Sequence, residues 1–174
     1  MKFLSDIRLL FLAIWLGAAV FFIGVAQSAF SVVPERELAG AVVGRSLMLL
    51  NFGGMAIAVI LILTSMIGTA RISAFWLWIE RFLLLVIAAA CAVQQFVIGT
   101  WMLSLRVRMA GPIDQVPADD PLRMQFDQLH QYSEWVLLVG MIASLIAFFI
   151  IARRKFDKAK AGDDVYDFSN EFKT

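Results

Sequence analysis

The sequence has few charged residues. They make up 17% of its 174 residues, whereas 61% are hydrophobic, and the mean hydropathy is +0.81. A soluble domain has about 45–50% apolar and about 25% charged residues. The composition therefore excludes an ordinary soluble domain and predicts a protein in contact with a lipid bilayer. The net charge of +1 gives no indication of a nucleic-acid partner.

The chain has one cysteine and one histidine. A lone cysteine, Cys91, excludes an intramolecular disulfide. A lone histidine, His130, excludes haem held by two histidines of one chain, although a His and Met pair stays open. The sequence also lacks a glycine-rich phosphate loop, a cysteine cluster and an H-E-x-x-H motif. We therefore predict no enzyme activity and no cofactor, with a transition metal as the one alternative.

Four long runs contain no charged residue: 9–34, 46–70, 82–105 and 135–152, of 26, 25, 24 and 18 residues. A helix needs about 20 apolar residues to cross the roughly 30 Å hydrocarbon core, and in lipid the spans of such a chain must be helices. The runs predict an all-α, antiparallel four-helix bundle in the membrane. Its spans are expected at about 9–33, 46–68, 80–105 and 133–152, within a transmembrane domain of residues 1–155.

Basic residues are unevenly divided between the two sides of this four-span model. Ten of the fifteen fall on the side of the termini: Lys2, Arg8, Arg71, Arg81, Arg153, Arg154, Lys155, Lys158, Lys160 and Lys173. The positive-inside rule then predicts a cell (inner) membrane protein with both termini in the cytoplasm. A cleaved signal peptide ending near Ala26–Ala29 is the alternative, but the first apolar run exceeds the usual 7 to 15 residues.

Residues 156–174 form a polar tail with a basic start and an acidic, aromatic stretch that includes Tyr166 and Phe168. We expect a cytoplasmic tail, either disordered or at the membrane surface. The alternative is that Tyr166 and Phe168 dock a partner.

Each span carries one stripe of small or polar residues, which in membranes are typical of helix contacts. The stripes predict which faces point into the bundle. They are Gly17, Gly24 and Ser28 with Gln27 beside them; Asn51, Gly54, Ala58 and Ser65; Ala88, Ala92, Gln95 and Gly99; and His130, Ser133, Leu137, Gly140 and Ser144.

The polar residues of the spans are concentrated toward the predicted outer side. Gln27, Asn51, Thr100, His130, Ser133 and Glu134 fall in the outer third, with Gln94 and Gln95 near the midplane. This bias predicts a water-accessible polar cavity that opens outward. The alternative is a set of interhelical hydrogen bonds, each contributing roughly 0.6 kcal/mol.

His130 is the sharpest candidate within that cluster. Asp127, His130 and Glu134 share a helix face at i, i+3 and i+7, and Ser133 flanks them. Imidazole and carboxylate suit a transition metal, and Met102 or Met124 offers a softer ligand. The alternative is a histidine that ties the bundle together or caps it.

Glu80 and Arg81 lie at the foot of the third span. They predict either an ion relay or, as the simpler interpretation, an interfacial pair or side chains that reach to the membrane surface.

Three motifs carry a family resemblance: Phe126-x-x-Leu129-His130-x-x-Ser133, Trp15-Leu16-Gly17-Ala18-x-Val20-Phe21-Phe22, and Gly44-Arg45. Together they resemble the transmembrane-protein-205-like family, whose bacterial members are grouped under a domain of unknown function. The resemblance covers about residues 5–155 and implies four spans and no established catalytic activity. For animal members it implies a link to tolerance or export of metal drugs, and a distant likeness to copper-resistance membrane proteins. Family members tend to have an asparagine where this chain has Leu137.

Two functions follow as hypotheses. The first is handling of a small solute or metal ion through the outward polar cavity around His130. The second is a non-catalytic accessory or structural subunit of a larger membrane complex, or a homo-oligomer.

Overall fold

The computed structural model describes residues 2–66, 74–109 and 111–153. Four helices make up most of this part of the chain: α1 (Lys2–Val32), α2 (Arg36–Ser65), α3 (Ala74–Arg108) and α4 (Pro121–Ala152). Helix α3 contains a π-helical segment, Val93–Ile98, and a 3₁₀ turn, Ile113–Gln115, precedes α4. The described residues contain no strand. All four helices are long and apolar enough to cross a membrane.

The helices pack as a four-helix bundle in which α1 and α3 each contact α2 and α4. Helices α2 and α4 thus occupy opposite corners. Pro34 separates α1 from α2, because proline cannot continue the hydrogen-bond ladder of α1. The predicted all-α membrane bundle is confirmed, and the chain is a multi-pass membrane protein. The side on which its termini lie stays a prediction.

The bundle has two unlike ends, named here by one residue each. The Arg8 end contains the start of α1 and α3 and the finish of α2 and α4. The His130 end contains the opposite ends. Helices of 30 to 35 residues are about 45–52 Å long, well beyond a 30 Å hydrocarbon core. Since charged residues interrupt α2, α3 and α4 at the His130 end, we infer that the excess length extends from the membrane there.

Two apolar cores match this division. The larger core fills the membrane-spanning part and includes Leu12, Trp15, Leu61, Leu84 and Ile151. A smaller core lies at the His130 end: Ile98, Leu105, Met109, Phe126 and Leu129. Arg123 closes this smaller core by donating to the carbonyl oxygens of Val116 (2.5 Å) and Ile113 (3.2 Å).

Candidate functional site

A buried ion pair joins three helices at the Arg8 end. Arg8 of α1 pairs with Glu80 of α3, and their side chains are 7% and 0% exposed. The same Arg8 nitrogen, Nη2, donates to the carbonyl oxygen of Leu61 in α2 (2.9 Å). Because α1 and α3 stand at opposite corners, the pair crosses the bundle. Ionisable groups buried among transmembrane helices are rare. Where they occur, they usually have a role, either in chemistry or in stabilising the arrangement of the helices.

The next residue, Arg81, binds α2. Its Nε donates to Ser65 Oγ (3.0 Å) and its Nη2 to the Ser65 carbonyl oxygen (3.1 Å). Arg81 therefore donates a hydrogen bond to a carbonyl group at the C-terminal end of α2. The carbonyl groups there lack intrahelical partners and attract cations. Glu80 and Arg81 thus bind different helices, α1 and α2, because consecutive residues on a helix point about 100° apart.

The sequence prediction did not identify Arg8 as the partner of Glu80. A signal for it was present: Ser5, Arg8, Leu12, Trp15 and Ala19 recur at helical spacing, and all five are buried. Arg8 therefore lies on the same face of α1 as the core residues.

The middle of the bundle is tightly packed around Trp15. Its indole nitrogen donates to the carbonyl oxygen of Leu50 (3.1 Å). A Cβ atom at Gly54 would collide with this indole nitrogen and would lie 2.6 Å from Cys91 Sγ. Glycine is required at this position because α1 and α3 both press against α2 there.

A second polar contact lies between α3 and α4. Gln94, buried within the π-helical segment, donates from Nε2 to Ser133 Oγ. The side-chain amide oxygen of Gln94, Oε1, has no hydrogen-bond partner among the described residues. The predicted inward glutamine, Gln95, is only half-buried. Gln94–Ser133 is thus an interhelical hydrogen bond of the kind that the alternative to a cavity predicted.

Several of the residues predicted to line the outward cavity lie apart from His130 and Glu134. Asn51 is buried, whereas Gln27 and Thr100 are exposed on α1 and α3. The Thr100 hydroxyl donates within its own helix, to the carbonyl oxygens of Phe96 (2.6 Å) and Val97 (3.1 Å). The predicted set is therefore divided among separate surfaces.

His130 lies on the outside of α4, not on its inward face. Phe126, Leu129 and Ser133 turn toward the bundle, and one further residue along a helix rotates His130 by about 100°. His130 Nε2 lies 3.6 Å from Glu134 Oε1, and the two side chains are 53% and 69% exposed. With Asp127, Gln128 and Gln131 they line a shallow groove of about 320 Å³ on α4 alone.

Of the predicted metal ligands, the structure brings at most His130 and Glu134 close enough to share an ion. No group of three or more His, Cys, Asp or Glu residues that could hold a metal ion is found in the part of the chain that the structure describes. Met102 packs against the smaller core, and Met124 is exposed. Tyr166 and Phe168, the predicted docking residues, lie outside the described residues.

The small-residue stripe of α1 also faces outward. Gly17, Gly24, Gln27 and Ser28 are exposed, and Leu12, Trp15 and Ala19 form the inward face instead. Beside Gly17 runs an open apolar groove of about 550 Å³ between α1 and α4. Its lining residues are Ala13, Leu16, Gly17, Val20, Phe21, Leu145, Phe148 and Phe149. The stripe predicted for α2 is correct, since Asn51, Gly54, Ala58 and Ser65 are all buried.

Comparison with known proteins identifies a family without assigning a role. The family model described as Domain of unknown function (DUF4149) matches residues 10–110. No curated protein and no solved structure matches the chain. The matched residues include most of α1 and all of α2 and α3, and thus Trp15, Gly54 and Glu80, but neither Arg8 nor His130. Since the match covers more than half of the sequence, the chain belongs to the DUF4149 family.

Proposed function

We propose that this protein is a non-catalytic membrane subunit that assembles laterally with another transmembrane helix. The observation that carries the proposal is the outward position of the Gly17–Gly24–Ser28 stripe of α1. Small residues in a transmembrane helix allow the backbones of two helices to approach closely. The bundle does not use this face of α1 internally.

The groove beside Gly17 supports the same proposal. A Cβ atom added at Gly17 meets no other atom within 4 Å, so the space next to the α1 backbone is open. Phe21 and Phe148 on its two walls offer large surfaces for the van der Waals packing on which helix association in lipid depends. In this proposal the Arg8 end faces the cytoplasm, as the distribution of basic residues predicts.

Filling the groove tests the proposal. We expect Gly17→Leu to remove the protein from its assembly, because the leucine side chain occupies the space that a partner helix needs. Ala89→Leu is the matched control, since Ala89 is also exposed on a membrane-spanning helix, on α3 and outside the groove. The measurement is the size of the particle extracted in mild detergent. Assemblies of equal size for both variants would argue against the groove.

The distance between His130 and Glu134 favours a second candidate, binding of a divalent transition metal at the His130 end. Two ligands on one tetrahedral ion, with bonds of about 2.0–2.1 Å, stand about 3.4 Å apart. The observed separation of 3.6 Å is close to this value. The resemblance to the transmembrane-protein-205-like family supports the same candidate. Two ligands make a weak site, so a partner molecule or water would have to complete it.

Titration calorimetry of Zn²⁺ in detergent tests this candidate. We expect His130→Ala to abolish the binding that the native protein shows. Gln128→Ala, on the same groove but without a metal ligand, should leave it unchanged. Equal heats for the native protein and His130→Ala would rule out a metal site at His130.

A further inference from the structure

Arg45 interrupts an apolar stripe on the outer face of α2. Leu38 and Val42 precede it and Leu49 and Phe52 follow it, and all four are exposed on the same helix face. Arg45 is also exposed, and it makes no ion pair or side-chain hydrogen bond within the described part of the chain. A guanidinium group surrounded by exposed apolar side chains at a membrane boundary needs a partner of opposite charge or water.

Glu134 stands at about the same height on the opposite corner of the bundle. Trp15 fixes the two heights, because its indole bonds Leu50 of α2 and its ring lies 3.4 Å from a Cβ built at Gly140 of α4. From these points toward the His130 end, Arg45 is five residues away and Glu134 six. At 1.5 Å per residue, the Cα atoms of Arg45 and Glu134 lie about 8 and about 9 Å from these two contact points, toward the His130 end.

The surroundings of Glu134 match those of Arg45. On the side toward the membrane, Leu138 and Leu145 continue its helix face with exposed apolar side chains. On the other side, Asp127 adds a second exposed carboxylate. The outer face of α4 therefore changes from acidic, toward the His130 end, to apolar, toward the Arg8 end. This change falls at the height of Arg45 on the outer face of α2.

We propose that a second copy of this chain covers the acidic face of α4, with its Arg45 against Glu134. Two copies in the same membrane orientation place these groups at one height without any shift along the membrane normal. Arg45 and Glu134 lie on different faces, so the contact is heterologous, and repeated contacts form a ring or a row. This inference rests on the proposed function, because it names the partner in the lateral assembly.

Cysteine cross-linking in native membranes tests the pairing. Two full-length copies with different tags are co-expressed, one with Arg45→Cys and the other with Glu134→Cys, and an oxidant is added. Cys91 remains, because it is buried. We expect a disulfide-linked dimer that carries both tags. The control pair combines Arg45→Cys with Val97→Cys, an exposed position on α3, and should give little product.

Charge reversal separates this inference from the proposed function. Arg45→Glu or Glu134→Arg alone should dissociate the assembly, and the two together should restore it. An assembly that persists in both single variants, with no cross-linked dimer, overturns the second copy as partner and leaves the proposed function standing. A native protein that is monomeric in every preparation overturns both.

Discussion

Glu80→Gln lowers the free energy of unfolding by about 3–5 kcal/mol in this account, because it leaves the buried Arg8 guanidinium without its countercharge. The glutamine side chain has nearly the shape of glutamate, so the loss comes from charge rather than from packing. Arg8 cannot respond by turning to solvent, since its side chain is 7% exposed and is held by the carbonyl oxygen of Leu61. Reversible unfolding in mixed micelles measures the change.

The exposed pair at the other end of the bundle supplies the matched control. Asp114→Asn removes the same charge 3.4 Å from Arg36, but these two side chains are 48% and 64% exposed, and such pairs contribute about 0–1 kcal/mol. Arg8→Met combined with Glu80→Gln should recover much of the loss, because no buried charge remains in the pair. Equal costs for Glu80→Gln and Asp114→Asn would show that the buried pair does not hold the helices together.

The second large effect is expected at Gly54. Gly54→Ala should destabilise the protein by about 1–3 kcal/mol, the usual cost of forcing an extra methyl group into a packed core. The new Cβ collides with the Trp15 indole, so either the hydrogen bond to Leu50 breaks or α1 moves away from α2. Thermal unfolding in detergent, followed by circular dichroism, measures the loss.

Gly53→Ala is the control for this substitution. Gly53 is the preceding residue of the same helix, and an added Cβ there meets no atom within 4 Å. Alanine is favoured over glycine in a helix interior by about 0.5–1 kcal/mol, so Gly53→Ala should be neutral or slightly stabilising. A loss at Gly53 equal to that at Gly54 would mean that helix flexibility, not the contact with Trp15, explains the result.

The spans could be predicted because the length of an uncharged run is a direct consequence of bilayer thickness. The inward faces could not be predicted equally well. In a soluble bundle the apolar face marks the core, but in lipid both faces of a helix are apolar. Small residues are then the remaining signal, and they are ambiguous: the stripe of α2 points inward, whereas the Gly17 stripe of α1 points outward.

The candidate site shows the same limit. His130 was predicted to be functional because it is the only histidine. Its neighbours Phe126 and Leu129 are buried, and they place His130 on the outer side of α4. The pairing of Arg8 with Glu80 was not predicted, because a basic residue at the start of a span is normally explained by the orientation of the protein in the membrane. Only the contact between opposite corners of the bundle shows that Arg8 and Glu80 belong together, and that contact is not encoded in either helix by itself.

The central claim is that this bundle assembles laterally in the membrane, and native mass spectrometry of the particle extracted from native membranes tests it most directly. We expect a particle heavier than one 19.4 kDa chain. A mass at an integer multiple would identify copies of this chain as the partners, and any other mass a different subunit. A single chain of 19.4 kDa, released without partners under the mildest extraction, would contradict the claim.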